Sequence, residues 1–210
     1  MNTLLILVLL TNLRLLATSR LGSCIRWVAG QGFLLGILAL MVNPSRITAG
    51  TVLLSAVTML LKAVVFPWML FRALREADVR REVEPYVGYN TSLFLGMAML
   101  GVSFWIGRRL PLPDPVVSPL LIPVALFSIF VGLFLIVGRK KAITQVLGYL
   151  VMENGIYTFG AGVVHEAPMF VELGILLDLL VAVFVMGIAI FHIAHDFDHI
   201  DTDRLARLKD

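Results

Sequence analysis

Two carboxylates stand out in a chain that otherwise carries few charges. Glu153 lies close to the midpoint of the apolar run Ala142 to His165, and Asp178 lies ten residues into the next run, Pro168 to Ile193. At 1.5 Å of rise per helical residue, Asp178 stands about 15 Å past Pro168. If these runs cross a bilayer, both acids sit near its middle. A charge at that depth costs about 2.5–3.5 kcal/mol on insertion scales, so it marks either an ion path or a packed polar contact. A carboxyl taken out of water holds its proton more readily and can load and release it near neutral pH, which is the chemistry of a proton relay. The competing reading makes both acids neutral packing contacts, hydrogen-bonded between helices.

The residues around Glu153 favour the relay. Gln145, Tyr149, Glu153 and Tyr157 recur at four-residue steps and form a polar stripe on one helical face, about 18 Å long. Tyr149 also suits an interfacial aromatic belt. Asn154 and Gly155 follow the glutamate, and Gly148, Gly160 and Gly162 offer close packing or a point of flexure, where an unwound turn would admit water. Lys62, fifteen residues into the run Ile47 to Phe71, either snorkels to the surface or pairs with a carboxylate. Arg14 is placed to snorkel. Glu172 stands only four residues into its run, where water reaches it, and ranks below Asp178. With His165 and Glu166 it forms either the outer mouth of a path or simply a wet turn.

Other chemistries find little support. His195, His199 and the aspartates of the last sixteen residues read as a charged juxtamembrane tail before they read as a metal site. No Ser/His/Asp grouping or Gly-rich phosphate loop assigns a catalytic residue. Cys24 is the one cysteine, which excludes an internal disulfide, a paired-thiol zinc site or an iron–sulfur cluster held by this chain.

The elements that must position these residues are membrane helices. The chain has 210 residues, 59% hydrophobic and 15% charged, against about 45–50% and 25% for a soluble domain. Its mean hydropathy is +0.94. Apolar windows predict seven spans: Thr3 to Ser19, Trp27 to Val42, Ile47 to Phe71, Thr91 to Gly107, Val116 to Gly138, Ala142 to His165 and Pro168 to Ile193. The first run, with Asn12 and Arg14 inside it, reads as a retained helix and not as a cleaved signal. Pro67 should kink or end the third span. The loops after spans one, three and five and the tail hold twelve Lys and Arg, against Arg46, Arg108 and Arg109 on the other side. That bias puts the N-terminus outside and the C-terminus in the cytoplasm of a multi-pass inner-membrane protein. The net charge of +3 is thereby explained by orientation, without nucleic acid. The proline-rich loop after residue 110 divides the chain into a four-helix part, 1–110, a three-helix part, 111–194, and a cytoplasmic tail, 195–210.

The segments VLGYLVMENG (Val146 to Gly155) and APMFVELGILLD (Ala167 to Asp178), with LLKAVVFP (Leu60 to Pro67) and the basic GRKK ahead of the glutamate helix, resemble the E-type membrane component of hydrogenase-4-type formate hydrogenlyases. The last three helices are similar to the K subunit of respiratory complex I and the C subunit of Mrp-type antiporters, which carry buried carboxylates on consecutive helices. Carried over, Glu153 corresponds to the first carboxylate, one turn displaced, and Asp178 to the second. The resemblance implies a non-redox membrane-arm subunit contributing to proton translocation, with no catalytic centre of its own. Its partners would be antiporter-like subunits, a subunit like the H subunit of complex I, and peripheral hydrogenase and iron–sulfur proteins. The nickel–iron and iron–sulfur cofactors would reside in those partners. A scaffold joining larger subunits, and a C-type component of a cation/proton antiporter, are the alternatives.

Overall fold

The computed structural model describes residues 1–42, 49–76, 85–110 and 118–163, and their regular elements are all helices. These are α1 (Asn2–Ala17), α2 (Leu21–Val42), α3 (Ala49–Leu60), a π-helical turn (Leu61–Val65), α4 (Phe66–Glu76), α5 (Tyr89–Arg109), α6 (Leu121–Gly138) and α7 (Ala142–Val163). The expected seventh span, with Glu172 and Asp178, lies outside the described residues, as do His165, Glu166 and the His/Asp tail.

Among the described residues, four helices are long and apolar enough to cross a membrane: Leu21–Leu38, Ser55–Arg75, Tyr89–Arg109 and Leu121–Gly138. Helix α1 is apolar but shorter. Helix α7 is 22 residues long, but its apolar character is diluted by Gln145, Glu153 and Asn154. It stays inside the bundle, where its residues from Ile143 to Val151 are largely buried. Helix α2 starts six residues before the apolar window, because an exposed Arg26 can occupy the outer face of a helix that buries Cys24, Ile25 and Val28. A hydropathy window ends at a charge; a helix with a wet side does not.

Pro67 neither ends nor breaks its helix. A proline lacks the N–H that would bond the carbonyl four residues back, here that of Ala63, and its ring crowds that carbonyl. The chain answers by widening the preceding turn: Phe66 donates its N–H to the oxygen of Leu61, five residues back. The result is a π-helical turn inside an otherwise continuous helix, with Lys62 in it. Helix α7, by contrast, passes through Asn154-Gly155 without unwinding.

Packing is organised in layers. One apolar cluster joins Leu15, Ile25, Phe66, Val131 and Leu147, and another joins Leu5, Val8, Leu35, Leu38 and Val124. Helices α6 and α7 form the most extensive pair. Gly155 makes this closeness possible, since a Cβ there would fall 2.8 Å from the Ala125 oxygen and 2.7 Å from the Ile129 nitrogen. The space between the two apolar clusters is where the polar residues gather.

Candidate functional site

Lys62, Glu153, Asn154, Gln31, Thr11, Asn12 and Ser128 come from five helical segments, and every one is buried. Each stands within about three residues of the midpoint of its continuous helix, so together they form one polar layer at mid-height of the bundle. Isolated polar groups at this depth would cost several kcal/mol each, which is why they are found together.

The charged centre is an ion pair. Lys62 Nζ donates to Glu153 Oε1 at 2.5 Å, with side-chain exposures of 6% and 1%. The same ammonium reaches Asn154 Oδ1 at 3.3 Å and lies 5.9 Å from the centre of the Tyr157 ring, within cation–π range. Lys62 can approach α7 because it faces a glycine on α2. A Cβ at Gly32 would sit 2.6 Å from the Lys62 Cβ and 3.4 Å from its carbonyl oxygen. The widened turn ahead of Pro67 and the bare backbone of Gly32 together seat the lysine.

From Asn154 the layer continues through uncharged groups. Asn154 Nδ2 donates to Gln31 Oε1 at 3.5 Å, and Gln31 Nε2 donates to Asn12 Oδ1 at 2.6 Å and to Thr11 Oγ1 at 2.7 Å. Asn12 Nδ2 donates to Ser128 Oγ at 2.7 Å. The two hydroxyls then donate into their own helices, Thr11 to the Val8 oxygen at 2.7 Å and Ser128 to the Val124 oxygen at 2.9 Å. Thr158, one turn beyond, donates to the Asn154 oxygen at 2.8 Å.

Of the expected site residues, the structure brings Lys62, Glu153 and Tyr157 together and decides between snorkelling and pairing for Lys62. The stripe on α7 divides at its lower end. Tyr149, partly buried, packs on the apolar cluster that includes Leu147 and Leu150, while Gln145 donates to the Arg139 oxygen at 3.2 Å. Glu172 and Asp178 lie outside the described residues. Sequence reasoning missed Thr11, Gln31 and Ser128 and gave Asn12 and Asn154 no role; the available signal was simply strong hydrogen-bonding groups inside apolar helices.

Arg139 follows α6, in the loop expected after the fifth span, and is 1% exposed. Its Nη2 donates to the Leu16 oxygen at 3.1 Å, in the last turn of α1, where the helix dipole favours a cation. The guanidinium carbon lies 4.4 Å from the centre of the Tyr89 ring. A flat, weakly hydrated cation suits that slot between a helix end and an aromatic face. Among the described residues no group of three His, Cys, Asp or Glu comes together as metal ligands.

These features define a helical membrane protein whose buried layer is held by an intramembrane ion pair and a chain of amides. The chain is 30% identical over 191 residues to the uncharacterized protein Rv0085 of Mycobacterium tuberculosis, covering 90% of this chain and 87% of that one. It belongs to the family of that mycobacterial protein. It is also 26% identical over 155 residues to hydrogenase-4 component E of Escherichia coli K12, and to the Shigella flexneri protein of the same name, covering 74% of this chain and 72% of each relative. No protein-family model matches the chain. No solved structure matches it.

Proposed function

We propose that this chain is a membrane-arm subunit of a group 4 hydrogenase-type complex, and that the Lys62–Glu153 pair is a proton-loading site within it. The likeness to hydrogenase-4 component E supports the setting. The single observation that carries the site is the ion pair itself, buried at mid-height and joined to a polar layer that reaches three further helices. A carboxylate that loses its proton beside an ammonium is stabilised by it, and one that gains a proton releases that ammonium. Such a pair can therefore alternate between two charge states without leaving the bundle.

In this reading the chain crosses the cytoplasmic membrane seven times, N-terminus outside, and Asp178 and Glu172 on the last span continue the path from Glu153. Tyr157 supports the ammonium from the side, and Tyr149 lies on the line towards the cytoplasm. Redox cofactors, nickel–iron and iron–sulfur, belong to partner subunits, because a chain with one cysteine lacks the thiolates to hold them. Antiporter-like subunits, an H-subunit-like neighbour and the peripheral hydrogenase arm are the proposed partners.

The test is Glu153→Gln in the assembled complex reconstituted into vesicles. The expected result is an intact complex with hydrogenase turnover retained and proton movement per turnover reduced at least fivefold. Unchanged proton movement in that variant would defeat the proposal. A second reading, a scaffold clamped by the pair, is favoured by how completely the layer satisfies its own amides. It predicts that Glu153→Ala loses the complex while Glu153→Gln keeps both assembly and coupling.

A further inference from the structure

The amide chain beside the ion pair has a direction, and the direction is set at its far end. A hydroxyl has one hydrogen to give. Thr11 gives its hydrogen to the Val8 oxygen and Ser128 to the Val124 oxygen, so towards the layer both can only accept. Gln31 must then turn its amide nitrogen to Thr11, and Asn12 must turn its own to Ser128. The second hydrogen of Gln31 Nε2 goes to Asn12 Oδ1, which leaves Gln31 Oε1 facing Asn154. Asn154 meets that oxygen with its nitrogen and presents Oδ1 to the Lys62 ammonium. Reversing the chain would put an NH2 group against the ammonium and would require both hydroxyls to leave the Val8 and Val124 oxygens and donate into the layer instead.

Among the described residues, Lys62 meets acceptors of two different kinds: a carboxylate oxygen at 2.5 Å and an amide oxygen at 3.3 Å. We infer that Asn154 Oδ1 is a second seat for the ammonium, taken up when Glu153 is protonated, and that Thr11 and Ser128 keep the seat open by fixing the direction of the chain. When a proton arrives at Glu153, the carboxyl becomes neutral, no bond to Lys62 nitrogen is made or broken, and the ammonium shortens its contact to Asn154. When the proton leaves, the ammonium returns to the carboxylate. Among the described residues, the titratable group shown in contact with Glu153 is Lys62, whose ammonium also lies 5.9 Å from the Tyr157 ring, whereas α1, α2 and α6 bring Thr11, Asn12, Gln31 and Ser128 to the layer. Thr11, Asn12, Gln31 and Ser128 are positioning residues, acting on the lysine through Asn154.

This inference deepens the proton-loading reading and rests on it for its purpose, but its geometry is tested separately. The full chain, labelled with 15N-lysine and 13C-asparagine and held in lipid bilayers, gives a magnetisation-transfer signal from Lys62 Nζ to Asn154 Cγ in solid-state NMR. Glu153→Gln imitates the protonated acid. The signal is expected to rise at least twofold in Glu153→Gln and to fall at least threefold from that level when Thr11→Val and Ser128→Ala are added, both of which keep nearly the same side-chain shape. An unchanged or weaker signal in Glu153→Gln overturns the second seat; an unchanged signal after the two hydroxyls are removed overturns their role in setting it. If the triple variant loses its helical spectrum, Thr11→Val with Glu153→Gln serves in its place, with the same two outcomes. Vesicle transport by the Glu153→Gln complex tests the relay independently: retained coupling there sinks the proton-loading reading whatever the NMR signal does.

Discussion

Lys62 and Glu153 are 91 residues apart in sequence and in direct contact in space, with the lysine on a π-helical turn and the glutamate on an unbroken α-helix. Both are almost wholly withdrawn from the surface. A buried pair of this kind is weak evidence for stability, because taking two charges out of the polar phase offsets most of their attraction. Breaking it is another matter, since the remaining group then loses this counter-charge while it stays buried.

That asymmetry gives the first prediction. Lys62→Met alone and Glu153→Leu alone should each destabilise the fold by about 3–5 kcal/mol, whereas the double variant should return to within about 1–2 kcal/mol of the native protein. Unfolding by steric trapping in bicelles measures all three. A double variant that merely adds the two single losses would show that the residues act independently.

Gly32 supplies the second. A Cβ at this position meets the Lys62 Cβ at 2.6 Å, and the neighbour it meets is the root of a side chain, not its flexible end. Gly32→Ala should cost about 1–3 kcal/mol through overpacking and push Lys62 away from Glu153. At Gly36 the nearest atoms are the Met59 Cβ, Cγ and Sδ, each farther off at 3.0 Å, so Gly36→Ala should cost less than half as much. Thermal denaturation of the two variants in the same lipid ranks them, and equal losses would remove the special role given to Gly32.

How much of this is legible without the structure can be judged residue by residue. Glu153 and Lys62 announce themselves, because a charge in an apolar run is costly and rare. Their mutual contact does not, since nothing in the local spacing of either helix reports its rotation against the other. Asn12, Gln31 and Ser128 are neutral and lack a telling interval; their meaning exists only once α1, α2 and α6 are side by side. The hydropathy windows find the regions of α1, α5, α6 and α7 but begin α2 late, as amphipathic ends are read as loop. The contacts of Arg139 are equally unannounced: nothing about a charge after a helix-ending glycine says that it meets a helix end and a tyrosine ring. Pro67 marks a disturbance in its helix, yet the sequence offers no way to choose between a stop, a kink and a widened turn.

The widened turn carries the third prediction. Pro67→Ala restores the N–H that can bond the Ala63 carbonyl, so the π turn should close into regular α-helix and gain about 1 kcal/mol in helical hydrogen bonding. Closing the π turn to α geometry, with no residue removed, alters the phase between the two flanking helices by up to about 100°, the angle of one residue in an α-helix. With α4 held by Phe66 and Leu70 in the apolar cluster, the rotation falls on α3 and the lysine. The expected outcome is a net loss of thermal stability, because the helical hydrogen bond gained does not offset the separated ion pair, with at least a fivefold loss of proton movement per turnover in the vesicle assay. Retained coupling would mean that the turn is a consequence of proline with no bearing on the site.

The last prediction concerns Arg139, which ties three elements together away from the polar layer. Its Nη2 holds the Leu16 carbonyl, its face lies on Tyr89, and its own carbonyl accepts from Gln145. Among the described residues its Nη1 is buried without a hydrogen-bond partner, so the contacts that hold the cation there are the Leu16 oxygen and the Tyr89 ring. A lysine could keep the charge but would lose the planar surface on the ring and the fixed geometry towards the helix end, and it carries a more strongly hydrated head into the same dry slot. Arg139→Lys should therefore be no better than Arg139→Met, each costing about 2–3 kcal/mol, and Tyr89→Leu should lose less than either because the bond to Leu16 survives. Chemical denaturation in detergent compares the three variants. Lysine performing as well as arginine would show that charge alone holds this end of the bundle, and that the stacking and the fork contribute nothing to it.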